Sequence, residues 1–469
     1  MSFYKFKFKE LLSFCGLILL LLYFLMIYFN IIIVNDWHRI YFPILVVVLL
    51  SYLHVKNDRF IMKMGANSVV LIYTIFSLLS LLVLLPIFPS IQNIRSSNTM
   101  KFLQYKELIP AISISCIGII VFVIFTSLFS RKANKDNSIA KSIFGNGIKD
   151  MNDRNEPIAD YVCKFSIFIM LLCLGYFTIF IISNLTFVTQ GYGNRVFQTN
   201  GNAVYGYMIV VMALSFVMFI TTCNKKNIYK GLFVFGLLCI LHFMLGNRGE
   251  VFYPVLAGIA IYTKRGGTFN KKFVIMGIIL SLILISFIRI IRVDGLSIRN
   301  ISNTFTNFSI IEGIAESFGE MGFQISTITY MLRYLNNGGN LQHGYTIIYS
   351  FQNVLSKYIP MIPIPNINSP AAIKTIMPTD YFAFTNVGEA YFNFGIMGVI
   401  AFSIILSWYL VKNSKFTGTL FSELLNNMIL VEIILWVRNS SATMPAYIFI
   451  AVALLVISYF VALPRKKIL

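Results

Sequence analysis

The chain is predicted to be all-α and polytopic: a membrane protein of about twelve transmembrane helices with both termini cytoplasmic and one large folded outer loop containing an amphipathic helix. Three observations predict this. Hydrophobic residues make up 57% of the 469 and charged residues only 12%, against roughly 45–50% and about 25% in a soluble domain. The apolar residues gather in runs near the ~20 residues that a helix needs to cross hydrocarbon, where only a helix satisfies its own backbone hydrogen bonds. The 38 Lys and Arg outnumber the 18 Asp and Glu, and the excess falls on alternate loops.

The first run, Leu11–Val34, follows Lys5, Lys7 and Lys9. It is too long for a signal sequence and lacks a small-residue cleavage site, so it reads as an anchor. Tyr41–Val55 is short enough to be a half-membrane segment. Asn67–Phe88, Leu108–Ser130, Tyr161–Ser183, Ala203–Cys223 and Tyr229–Leu245 follow as full spans. Glu250–Thr263 is short again, and Phe273–Val293, Tyr391–Val411, Leu420–Val437 and Thr443–Leu463 complete the set. Most of the Lys and Arg then lie on the face that carries both termini, and the positive-inside rule makes that face cytoplasmic. The positive charge is therefore mostly topological, and no nucleic-acid partner is expected.

The organisation reads as helices 1–9 over residues 1–293, a large extracytoplasmic loop over 294–390, and helices 10–12 over 391–469. Within the first part, Arg131–Asp160 mixes both charges with Asn and reads as a mobile cytoplasmic linker. The large loop is rich in aromatics, Asn, Ser, Gly and Pro and should fold. From Ser309 to Leu335, apolar residues recur at helical spacing while Glu312, Glu316 and Glu320 line another face, the pattern of a helix lying along a surface with its glutamates solvated. Beyond it, Pro360, Pro363, Pro365, Pro370 and Pro378 exclude a continuous helix and imply a rigid irregular lobe capping the membrane domain.

Several function classes lose support directly. The six cysteines sit inside or at the edges of apolar runs, which argues against a disulfide framework or a thiolate zinc site. There is no GxxxxGK[ST] loop, HExxH pair or EF-hand pattern, so ATP-driven and zinc-hydrolase chemistry have no footing.

Charged residues at span ends usually mark substrate paths or structural pairs. On the outer side lie Arg195 in GYGNRVF, His242, Arg248 and Glu250 in HFMLGNRGE, Arg289 and Arg292 in SFIRIIRVDG, Glu389 in NVGEAYFNFG, and Arg438 in WVRNSS. A guanidinium offers phosphate a planar two-bond fork and keeps its charge, so five arginines gathered there suit a polyanionic ligand at the membrane surface. Each could instead snorkel to headgroups. Glu389, at the start of a span, reads either as a general base or as a helix-start carboxylate held by the dipole and an arginine. His343, in the outer loop, is a second candidate base. Glu432 reads as a structural partner.

The turn LGNRGEVFYPVLAGIAIY, the loop stretch HGYTIIYSFQNVLSKYIPMIPIPN and the segment TNVGEAYFNFGIMGVIAF, over roughly Leu241 to Leu410, resemble the oligosaccharide repeat-unit polymerases, the Wzy-type O-antigen or capsule polymerases. The resemblance implies an enzyme of the bacterial cytoplasmic membrane with its active site facing outward under the large loop. Its substrates would be polyprenyl-diphosphate-linked oligosaccharides, it would need no nucleotide, metal or other cofactor, and its partners would be the bilayer and a separate chain-length regulator. Arg248 and Glu389 match the family by position; Arg195, Arg289, Arg292 and Arg438 are carried by location. Lys357 stands where the family often has an arginine. A flippase of lipid-linked oligosaccharide and a glycan ligase of similar build are the rival readings.

Overall fold

In the computed structural model of the chain, the described residues are 8–57, 65–89, 91, 100–143, 149–184, 203–223, 227–245, 249–265, 310–356, 359–366, 368–372, 384–414 and 419–462, with 272, 276 and 376. Among them the regular structure is helical, with no strand. The helices are α1 (Phe8–Tyr28), α2 (Tyr41–Asn57), α3 (Ala66–Leu84), α4 (Leu108–Ile143), α5 (Lys149–Ser183), α6 (Ala203–Thr222), α7 (Ile228–Met244), α8 (Gly249–Lys264), α9 (Ile310–Met321), α10 (Ile325–Asn336), α11 (Tyr345–Leu355), α12 (Asn386–Asn413), α13 (Leu420–Trp436) and α14 (Met444–Ala462). Among the described residues, six stretches are long and apolar enough to cross a membrane: Ala66–Leu84, Leu108–Ser130, Ile158–Ser183, Val204–Thr222, Asn386–Asn413 and Ser441–Val461. Each expected run overlaps a helix except Phe273–Val293, which lies outside the described residues apart from Met276; the first helix ends at Tyr28, short of the expected Val34, and α12 starts at Asn386, ahead of the expected Tyr391.

Two compact units emerge. The first holds Met1–Ile139, Phe318–Ser414 and Leu435–Pro445, and the second Ala140–Ser317, Lys415–Ile434 and Ala446–Leu469. In the first unit α4 is the core element, buried around its whole circumference from Ala111 to Ile124. That all-round burial suits a helix that is apolar on every face. Ser407 of α12 donates to the Phe122 carbonyl at 3.0 Å and so pins α12 to it. In the second unit α6 packs against α5 and α8, and α7 against α5.

Two expectations need correcting. Arg131–Asp160 is not a plain linker, because α4 runs on to Ile143 and α5 starts at Lys149, both helical well beyond their apolar runs. The glutamate-lined helix does not lie along a surface either. It breaks into α9, a 3-10 turn at Gly322–Gln324, and α10, and from Phe318 onward it is pressed onto α3. Ser80 donates to the Phe318 carbonyl at 2.7 Å, and Phe318 stacks on Phe76 at 4.9 Å between ring centroids. A Cβ on Gly322 would sit 2.2 Å from the Leu81 backbone nitrogen, so only glycine lets the two main chains meet. Glu320 is consequently 7% exposed rather than solvated.

Candidate functional site

The stretch where sequence placed Glu389 at a helix start is built with care in the structure. Thr385 caps α12, its hydroxyl oxygen accepting from the Gly388 N–H at 2.9 Å, as a threonine N-cap should. Glu389 follows in the first turns, 1% exposed. Its Oε1 accepts from the Thr346 hydroxyl at 2.8 Å and from the Ser441 hydroxyl at 2.5 Å. Its Oε2 accepts from the Trp436 indole N–H at 2.7 Å and from the Ser441 backbone N–H at 2.8 Å. Four donors from α11, the end of α13 and the 3-10 turn at Ser441–Thr443 thus converge on one buried carboxylate. An uncompensated buried charge is costly, and donors of this number and quality are what hold it.

The site continues along α12. Asn393, one turn beyond Glu389, donates to Thr346 Oγ1 at 2.7 Å and to the Glu389 carbonyl at 2.9 Å, and accepts from the Gly344 N–H at 2.9 Å. Immediately after it α12 breaks: Phe394 (φ −136°, ψ 17°) and Gly395 (φ 62°, ψ −154°) are non-helical, so two helical pieces meet at a kink. The break frees carbonyls that membrane interior cannot hydrate. The loop before α11 takes them: the Gln342 N–H bonds the Phe392 carbonyl at 2.9 Å and the His343 N–H bonds the Asn393 carbonyl at 3.0 Å. His343 adopts a left-handed conformation (φ 48°) to do so, and its ring is exposed.

Of the residues singled out from sequence, the structure brings Glu389 and His343 into one constellation, with Arg438 in the α13–α14 turn two residues beyond Trp436. Arg195, Arg248, Arg289 and Arg292, and also Lys357, lie outside the described residues. His242 is fully buried edge-on to Phe177, 4.4 Å between centroids, and neither ring nitrogen has a hydrogen-bond partner among the described residues. Sequence reasoning missed Thr346, Asn393, Trp436 and Ser441. Asn393 alone carried a local signal, four residues after Glu389 and so on the same helical face. The described residues contain no group of three or more His, Cys, Asp or Glu able to hold a metal ion.

The second unit has a polar cluster of its own. Lys264 at the end of α8 pairs with Glu423 at 2.6 Å, both side chains almost fully buried. Asn427 bridges Glu423 (3.2 Å) and Thr221 (3.1 Å). Arg265 donates to the Ile220 and Cys223 carbonyls at the end of α6, at 2.7 and 2.9 Å, a cation closing a helix C-terminus.

Long apolar helices, one of them broken and capped by loop backbone around a buried carboxylate, define an integral membrane protein. The family model for O-antigen polysaccharide polymerase Wzy matches residues 12–467, and the chain belongs to that family. It is 26% identical over 265 residues to "Protein CapE" of Staphylococcus aureus, a match spanning 55% of this chain and 57% of the relative. The chain therefore covers little more than half the length of that curated relative. No solved structure matches it.

Proposed function

We propose that the protein polymerises polyprenyl-diphosphate-linked oligosaccharide repeat units at the outer face of the bacterial cytoplasmic membrane, building an O-antigen or capsule-type polysaccharide. The observation that carries this reading is the family match over residues 12–467. The growing glycan would leave its lipid carrier for the non-reducing end of an incoming lipid-linked repeat, releasing the carrier diphosphate.

The chemistry asks for two things. Negative charge develops on the departing diphosphate, and fixed cations placed where it forms stabilise the transition state. Arg248, Arg195, Arg289, Arg292 and Arg438 are proposed for this role, their forked guanidinium suiting phosphate oxygens. The attacking sugar hydroxyl needs a proton acceptor while the anomeric carbon is approached from the face opposite the leaving group, which inverts its configuration. Glu389 already accepts from four donors. In that state it acts as a positioning residue, and it becomes a base only by giving up a donor such as the Ser441 hydroxyl. His343, with its exposed ring, is the other acceptor within the constellation. Neither step calls for a metal or nucleotide.

The break in α12 supports a second reading, since discontinuous helices are common at transporter binding sites. The purified protein incubated with a lipid-linked repeat and chelator, without nucleotide, should yield a ladder of longer glycans. Movement of intact lipid-linked repeats across vesicles without chain growth would favour a flippase. Transfer of finished glycan to another lipid or protein would favour a ligase.

A further inference from the structure

Helix α11 is inside out by the standard of a water-facing loop. On an amphipathic helix at an aqueous surface the apolar face turns inward and the polar face outward. Here Thr346 and Ser350, on one face at i and i+4, are buried and bonded inward, Thr346 to Glu389 at 2.8 Å and Ser350 within 3.3 Å of the Ser441 hydroxyl. The opposite face carries Tyr345 and Ile348, the latter 58% exposed. The segment after the helix continues the pattern, with Met361 93% and Ile364 79% exposed.

Two further observations say which medium covers this face. The polar group in its middle is tied off rather than left for water: Gln352 donates to the Pro363 carbonyl at 3.0 Å, and its Oε1 lies 3.5 Å from the Tyr345 hydroxyl. The face is also continuous with a membrane helix. Beyond the break in α12, Met397, Ala401, Ile405 and Trp408 form an exposed apolar stripe at steps of four, four and three residues along a membrane-crossing segment, the register of one lipid-facing side. Phe394, exposed at the kink just before that stripe, reaches Gly344, the residue before α11: a Cβ there would be 3.3 Å from its ring.

We infer that α11 and the Pro-rich strap Ile359–Ile364 are an interfacial element that lies in the leaflet at the Asn386 end of α12, with Ile348, Met361 and Ile364 among the acyl chains. The occupant of the apolar face is bilayer lipid. The irregular lobe expected to cap the membrane domain is, over this stretch, a belt at the membrane surface, and it carries the inward face of α11 that bonds Glu389. Such a belt places the buried carboxylate constellation directly beneath headgroup level, within reach of a ligand that arrives through the leaflet rather than from bulk water.

The test is depth measurement on the full chain in nanodiscs holding one copy each. Nitroxide is attached at Ile348→Cys or Ile364→Cys in a Cys15→Ala background, and collisions with oxygen, which enriches in hydrocarbon, are compared with those of a water-soluble nickel chelate. Ile405→Cys is the lipid reference and Asn337→Cys the water reference. Expected is the oxygen-dominated ratio of Ile405 at both positions, with loss of nickel accessibility relative to Asn337. A ratio equal to that of Asn337 overturns the inference and leaves an aqueous lobe. Shielding from both reagents overturns it too and indicates a face covered by protein, and dipolar broadening on loading two copies per disc would identify a second chain. Met361→Cys repeats the reading away from the helix, so a local misfold at Ile348 cannot decide the matter.

Discussion

Trp436 donates its indole N–H to Glu389 at 2.7 Å, joining the end of α13 to the first turns of α12 across 47 positions of sequence. The same carboxylate takes Thr346 of the loop helix and both donors of Ser441. Glu389 is thus the point where the loop and two transmembrane segments are tied.

Glu389 Oε2 faces the Trp436 and Ser441 N–H groups, which can only donate, so an amide nitrogen there meets N–H; at Oε1 it meets the Thr346 and Ser441 hydroxyls, which can turn to accept but then lose the carboxylate as their acceptor. Either way Glu389→Gln exchanges bonds to a buried carboxylate for weaker neutral ones or strands a donor, at a cost of about 1–3 kcal/mol. Glu389→Gln should therefore lower the melting temperature in detergent as well as glycan ladder formation. Unchanged stability with slowed turnover would instead place the carboxylate in proton transfer. Full stability with full turnover would remove Glu389 from the site. Trp436→Phe, which deletes a single donor and keeps the ring against Phe402, should show the milder form of the same loss.

The kink in α12 makes an independent prediction. Gly395 holds φ 62° with ψ −154°, a region that essentially only glycine occupies. Gly395→Ala should destabilise by about 1–3 kcal/mol, or straighten the helix and withdraw the carbonyls that Gln342 and His343 cap. Thermal unfolding reports the first. Increased amide exchange at Gln342 and His343 reports the second, and unchanged behaviour in both would mean that the kink is not enforced by this residue.

These two sites show what was legible in sequence. Span positions could be read because hydrophobic runs are a local property: Leu108–Ser130 follows from composition alone, and the expected Tyr391–Val411 lies within Asn386–Asn413. The break at Gly395 could not, since NFGIMG sits inside an unbroken apolar run. The partners of Glu389 lie 43, 47 and 52 positions away, and spacing rules end at one or two helical turns. Glu320 was misread because a glutamate row at i, i+4 looks the same whether water or α3 faces it; the deciding fact is the close approach at Gly322, a tertiary contact.

The arginine proposal is tested at Arg248. If two-bond contact to a diphosphate matters there, Arg248→Ala should leave single repeats and no polymer, and Arg248→Lys should restore little, because an ammonium cannot reproduce the planar fork. Long chains from Arg248→Ala would exclude it.

The orientation predicts that a tag inserted at Asn337, in the exposed turn after α10, is reached by membrane-impermeant reagents in intact cells. Protection until the cells are opened would invert the topology and move Glu389 to the cytoplasmic side.

The buried pair in the second unit can be separated from function altogether. Lys264 and Glu423 meet at 2.6 Å with side chains 8% and 3% exposed, where removal of one takes a close counter-charge from the other. Glu423→Ala should thus cost about 3–5 kcal/mol, whereas joint replacement by apolar residues of similar size, Lys264→Met with Glu423→Leu, should recover most of it. Asn427 complicates the rescue, since its side-chain amide donates to both Glu423 and Thr221; adding Asn427→Leu removes the donor that the double variant orphans. Unfolding temperatures of the single, double and triple variants decide the matter. If the double variant is no more stable than Glu423→Ala, the ion pair is not what holds α8 to α13, and the stability of that end rests on Arg265, which closes α6 from the neighbouring position.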